Sequence, residues 1–219
     1  MFSAAVTTKV YDGTDSAVVT GAVLVGNSTA DNDGKYISTE VVTLSGGSSG
    51  TFADKNVGTG KTVTTVMTLG GADAGNYTLL NQPTLAGTIT AKDLNVFSAA
   101  VTTKVYDGTD SAVVTGAVLM GNSTSDTDGK YIGNEVVTLG NNTAGKFASK
   151  NVGNRAVSTT MTLGGADAVN YTLSTQPALT GVITAKDLTV DVSGVTISKV
   201  YKARGPRTTA STTPSTPSP

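Results

Sequence analysis

Histidine, cysteine and tryptophan are absent from the 219-residue chain, aromatic residues make up 5% and charged residues 14%. Without His there is no Ser-His-Asp relay and no imidazole proton shuttle. Without Cys there is no thiol nucleophile, disulfide or thiolate metal site, although that alone does not fix a redox compartment. Lys plus Arg number 15 against 16 Asp plus Glu, giving a net charge of −1. No basic field for nucleic acid follows from that balance. No apolar run approaches the roughly 20 residues of a membrane helix, so membrane insertion is not expected. Met1-Phe2-Ser3 does not open a cleavable signal, and secretion would have to be encoded outside this sequence.

What is present is self-similarity. Residues 2–57 align with 97–152 without a gap, and 44 of the 56 pairs are identical. One residue is lost after Gly58/Gly153, so that Tyr77 matches Tyr171 and Lys92 matches Lys186. The spacing predicts repeat 1 over 1–95, repeat 2 over 96–190 and the start of a truncated third repeat over 191–201. Residues 202–219 are rich in Ser, Thr and Pro and are expected to be disordered. Two full copies and a stump read as part of a longer tandem array.

Within a repeat the periodicity is two. In Lys61 to Leu69, Val63, Met67 and Leu69 share one face and Thr62, Thr64 and Thr68 the other, with Thr65 and Val66 breaking the alternation. Strands are also expected over Ala5 to Tyr11, Tyr36 to Leu44, Asn76 to Leu80 and Leu85 to Val96. Between them lie turns at Asp12-Gly13, Asn32-Asp33-Gly34, Ser45 to Gly50 and Gly70-Gly71. Ala72-Asp73-Ala74 has room for one helical turn. The expected fold class is all-β and mostly antiparallel: two tandem β-sandwich or β-grasp-like modules arranged end to end. The joint Ile89 to Val96 lacks Pro and Gly, which favours a stiff connection, with each copy adding roughly 30–40 Å.

Four motifs carry a resemblance. Lys9-Val10-Tyr11-Asp12-Gly13-Thr14, Asp54-Lys55-Asn56-Val57-Gly58, Gly75-Asn76-Tyr77-Thr78-Leu79 and Ile89-Thr90-Ala91-Lys92-Asp93-Leu94, in this order, resemble the YDG repeat domain. That module and its MBG relatives occur in tandem in large bacterial surface proteins, including filamentous-haemagglutinin-like adhesins. Copy two departs from the motifs at Ser149 and Val169. The resemblance implies a mostly-β stalk module at the bacterial cell surface or outside the cell, with no catalytic residues to carry over. Neighbouring repeats of the same chain are then the expected partners.

Candidate sites are few. In Tyr11-Asp12-Gly13-Thr14, Gly13 suits positive φ, Asp12 caps a backbone N–H and Tyr11 supplies a buried ring, so turn chemistry is the preferred reading. Asp31, Asp33, Asp126 and Asp128 resemble the middle of calcium loops, with Glu40 at the twelfth position counted from Thr29. Against calcium stand Thr29 in place of an Asp and an expected strand after Gly34 that would carry Glu40 away, leaving an Asp-Gly hairpin turn preferred. Lys9 with Asn76, and Lys104 with Asn170, are candidate intramolecular isopeptide pairs, with Asn56 and Asp73 as further partners. That chemistry needs an unprotonated Lys beside a carboxamide.

Five Asn-X-Ser/Thr sequons and the many Thr residues read as products of composition. The expected function is a non-enzymatic stalk or spacer that projects a distal binding region. The competing expectation is a calcium-assisted module that binds a host surface glycan or protein through its Asp/Asn/Gly loops.

Overall fold

The computed structural model describes residues 4–202 and Gly205. The described residues divide into two units between Lys186 and Asp187. Repeat 1 contains β1 (Ala5–Val6), β2 (Lys9–Val10), β3 (Ser16–Thr20), β4 (Thr43–Ser45), β5 (Ser49–Phe52), β6 (Gly58–Thr64), β7 (Thr68–Gly70), β8 (Leu85–Thr90) and β9 (Lys92–Asp93). Repeat 2 contains β10 (Ala100–Val101), β11 (Lys104–Val105), β12 (Ser111–Thr115), β13 (Thr138–Gly140), β14 (Ala144–Phe147), β15 (Gly153–Ser158), β16 (Thr162–Gly164), β17 (Tyr171–Thr172) and β18 (Leu179–Thr184). The protein is nearly all-β, and the only helical elements among the described residues are 3₁₀ turns at Ala74–Asn76 and Ala168–Asn170.

Each repeat is built on one curled six-stranded sheet, in the order β1-β3-β5-β6-β8-β2 and, correspondingly, β10-β12-β14-β15-β18-β11. All neighbours are antiparallel except β2 beside β8 and β11 beside β18. Only Thr7 and Thr8 separate β1 from β2, a span of roughly 10 Å even when extended. Strands so close in sequence can occupy the two ends of the order only if the sheet rolls up.

Alternation drives the burial. In β3, Ala17 and Val19 are buried while Val18 is exposed. Phe52 and Val63 face one another across β5 and β6 and are both buried. Glycine is required at Gly87, where an added Cβ would lie 2.7 Å from both Phe52 and Val6, and Gly181 does the same beside Phe147 and Val101.

Several expected strands are shorter than the pattern suggested. The run Lys61 to Leu69 is interrupted at Thr65–Met67, because the Gln82 side chain takes the place of a neighbouring strand. Its Oε1 accepts from the Met67 N–H at 2.8 Å, and its Nε2 donates to the Met67 carbonyl at 2.8 Å. Side-chain alternation nevertheless continues through the interruption: Thr65 is buried, Val66 is exposed and Met67 is buried.

Tyr36 to Leu44 keeps strand structure only from Thr43, since Asp73 accepts the Val41 N–H and the Tyr77 hydroxyl accepts the Ile37 N–H. Asn76 to Leu80 forms no strand in repeat 1, and Leu85 to Val96 breaks at Ala91. The compact unit ends at Lys186. The expected third-repeat start, 191–201, contains no strand, and the expectation of disorder over 202–219 falls mostly outside the described residues.

Candidate functional site: the joint between the repeats

The polar chemistry of the compact unit gathers where repeat 1 meets repeat 2. Chain connectivity places the joint strand first: β9 leaves β8 after Ala91 and pairs in parallel with β17, Lys92 opposite Tyr171 and Asp93 opposite Thr172. The Leu94 N–H continues the ladder to the Thr172 carbonyl at 2.8 Å, and the Asn95 N–H donates to the Gly129 carbonyl at 2.9 Å. Asp93 accepts from the Thr172 hydroxyl at 3.1 Å and the Ser174 N–H at 2.9 Å. Leu94 is buried in one apolar cluster with Tyr11, Ile89 and Tyr171, against which Leu119, Ile132 and Val137 pack. The last three belong to repeat 2, so the core is shared.

Two ion pairs border this shared core. Glu135 accepts from Lys55 Nζ at 2.8 Å and also from the hydroxyls of Tyr11 and Tyr171. The two rings meet edge to face, with centroids 5.5 Å apart. Lys92 is fully buried, and its Nζ donates to the Ser125 carbonyl and pairs with Asp128 at 3.1 Å. The Val57 N–H donates to Asn170 Oδ1 at 3.0 Å, and Asn170 Nδ2 donates to Asn56 at 3.3 Å. A cleft of about 190 Å³ opens beside these groups, lined among others by Tyr11, Asp12, Lys92 and Asp126.

Burial alone would raise the Glu135 carboxyl, but hydrogen bonds from Lys55, Tyr11 and Tyr171 outweigh it and hold it below its ordinary value. Burial opposes ionisation of Asp128 too, yet the Thr124 and Lys130 amides, Lys92 and Ser123 hold it far below the usual carboxylate range. Burial and then the Glu135 carboxylate push the Tyr11 hydroxyl up to about 12, and the same causes raise Tyr171.

The carboxyl values are lowered in the folded state, so their stabilisation is complete above the unfolded carboxyl range near pH 4 and is lost as pH falls through the folded values. Those of the tyrosines are raised, so their contribution is complete below about pH 10 and is lost as pH rises through about 12. Urea midpoints measured against pH are therefore expected to form a plateau between about pH 5 and 10 with a fall on both sides. Glu135→Gln should flatten the alkaline fall.

The residues singled out in the sequence are placed as follows. Gly13 has φ of 79° and Asp12 accepts from the Thr14 N–H at 2.9 Å, the turn that the motif suggested. Asp33 caps its own loop, accepting from the Thr29 and Lys35 amides at 2.8 and 3.0 Å. Asp128 does likewise and additionally binds Lys92, whereas Asp31 and Asp126 lie exposed. Glu40 is not carried off by a strand; it accepts from the Tyr77 hydroxyl. Among the described residues no group of three or more Asp, Glu, His or Cys is arranged to hold a metal ion.

Lys9 donates to Thr14 and Ser16 and pairs with Asp12 at 2.8 Å, and Lys104 makes the corresponding bonds with Thr109, Ser111 and Asp107. Neither lysine hydrogen-bonds an asparagine. Asn76 is exposed beside its 3₁₀ turn, while Asn170 is buried in the joint. Sequence reasoning passed over Lys55, Lys92, Glu135 and Tyr171 as a set. No local signal marks the set, because Lys92 and the exposed Lys186 stand in the same motif, Ile-Thr-Ala-Lys-Asp-Leu.

These features define a tandem of two all-β repeats whose second copy is joined to the first by a shared core, the buried Lys92–Asp128 pair and the contacts of Glu135. The chain belongs to the YDG domain family, whose sequence profile matches residues 2–85 and 90–178. No curated protein and no solved structure matches it.

Proposed function

We propose that this tandem is a non-enzymatic stalk or spacer of a bacterial cell-surface or secreted adhesin, whose repeats hold a distal binding region away from the surface. The observation that supports this reading is the joint. A spacer that transmits position must resist bending between its modules, and a linker free to swivel would lose reach. Here β9 pairs with β17 and the Lys92–Asp128 and Glu135 contacts surround that pairing, so bending at the joint would break backbone hydrogen bonds and expose buried charge.

Backbone ¹⁵N relaxation of the intact chain tests the proposal. The expected result is a single rotational diffusion tensor for residues of both repeats, unchanged by added calcium. Two independently tumbling repeats would overturn it, and a calcium-induced ordering of the 31–34 and 126–129 loops would favour the adhesive-module reading instead.

A further inference from the structure

Each residue of the joint has a twin in the other repeat, and the named twins are half-buried or exposed. Repeat 1 contributes Tyr11, Lys55, Lys92 and Leu94 to the joint; the corresponding residues of repeat 2 are Tyr106, Lys150, Lys186 and Leu188. Leu94 is 1% exposed and Leu188 87%, and Lys92 is fully buried while Lys186 is exposed. Repeat 2 contributes Asp128, Gly129, Ile132, Glu135, Asn170 and Tyr171; the counterparts in repeat 1 are Asp33, Gly34, Ile37, Glu40, Asn76 and Tyr77.

Gly129 is covered so closely by Asn95 that an added Cβ would lie 2.2 Å from its side chain, whereas at Gly34 a Cβ would meet nothing within 4 Å. Asn170 is buried and Asn76 exposed; Ile37 is 52% exposed. The accepting groups of repeat 1 are already in the working arrangement. Tyr77 bonds Glu40 as Tyr171 bonds Glu135, and Asp33 holds the same loop amides as Asp128.

We propose that these two faces are the two halves of one joint, and that separate copies of the chain associate head to tail through them. In that contact Lys186–Asp187 of one copy would pair with Tyr77–Thr78 of the next. Lys186 would reach Asp33, and Tyr106 with Lys150 would reach Glu40. Charge is complementary, with lysines on the donating face and carboxylates on the accepting face. Two departures are visible: Leu80 stands where the Ser174 hydroxyl bonds Asp93, and Thr189 stands where Asn95 covers Gly129, so side-chain contacts are lost while the backbone ladder can still form. The contact is heterologous, so it can repeat from copy to copy rather than closing at a dimer. The proposal rests on the joint and not on the stalk reading.

Sedimentation velocity of the intact chain tests it, over concentrations up to about 1 mM, the effective-concentration scale of a tethered contact. The weight-average sedimentation coefficient is expected to rise with concentration past the value of a dimer. Lys150→Glu on the donating face and Glu40→Ala on the accepting face, a pair that cannot restore each other's charge, should each weaken association by at least about tenfold. Mixed one to one, the two variants should form heterodimers and stop there, because each still carries one intact face.

Lys186→Glu, at an exposed position, supplies a second donor-face variant that does not depend on Glu40 or its Tyr77 partner. Chains that stay monomeric throughout, association indifferent to both lysine substitutions, or mixtures that grow beyond two would each overturn the proposal.

Discussion

Glu135→Ala is expected to destabilise the compact unit by about 3 kcal/mol, and Glu40→Ala by less than about 1 kcal/mol. The two glutamates are twins in sequence, so the difference isolates what the joint adds. Glu135 is nearly buried, its side chain 8% exposed, and it accepts hydrogen bonds from the Lys55 ammonium and the Tyr11 and Tyr171 hydroxyls. Removing it leaves two hydroxyls in an apolar cluster without their acceptor, each a loss of about 1–3 kcal/mol.

The Lys55 charge contributes less to the loss, because its side chain is 44% exposed and can turn to water. Glu40 receives only the Tyr77 hydroxyl, on a face open to solvent. Urea titration read by tyrosine fluorescence measures both variants, and the midpoint of Glu135→Ala should also fall by about 2–4 °C per kcal/mol in a thermal scan. Equal losses for the two variants would mean that the carboxylate serves each repeat internally and does not bind the repeats together.

That contrast also marks how far the sequence could be read. The short β-branched runs and Gly/Asp turns made the all-β class legible; β1, β2, β8 and β9 lie inside expected strands and β6 overlaps one, whereas β3 had not been expected. Legibility failed where a side chain replaced a strand. Thr65 looked like a break in the Lys61 to Leu69 pattern because a polar residue sat on the inward face; Gln82, seventeen residues on, satisfies it from inside. Nothing in a local window shows that pairing.

Glu40 was misplaced for a related reason. Val41 and Val42 suggested an extended run, yet Asp73 and Tyr77, more than thirty residues away in sequence, hold this stretch in a turn. The joint was illegible for a different cause. Near-identical copies give each residue two environments under one motif, so Lys92 and Lys186 read alike although one is buried and the other exposed. Position along the tandem, which the motif does not carry, decides which lysine is structural.

Lys92→Ala is accordingly expected to cost about 3–5 kcal/mol, as for breaking a buried ion pair from one side, while Lys186→Ala stays within about 0.5 kcal/mol. Three losses coincide at Lys92. The Asp128 carboxylate, 16% exposed, loses its counter-charge; the Ser125 carbonyl loses its donor; and the alkyl stem leaves a void beneath β9. Lys92→Met separates them. It restores the packed volume and removes the charge, and Asp128 keeps the Thr124 and Lys130 amides at 2.8 and 3.1 Å and the Ser123 hydroxyl at 3.0 Å.

Methionine is therefore expected to recover roughly half of the alanine loss. Equilibrium unfolding supplies all three values, and residual dipolar couplings from the two repeats report whether their mutual orientation survives. If Lys92→Met matches the stability of the native chain but the repeats lose a fixed orientation, the ion pair sets geometry and the apolar contacts around Leu94 supply the energy. If stability and orientation fall together, the buried charge pair is itself what fastens one repeat to the next.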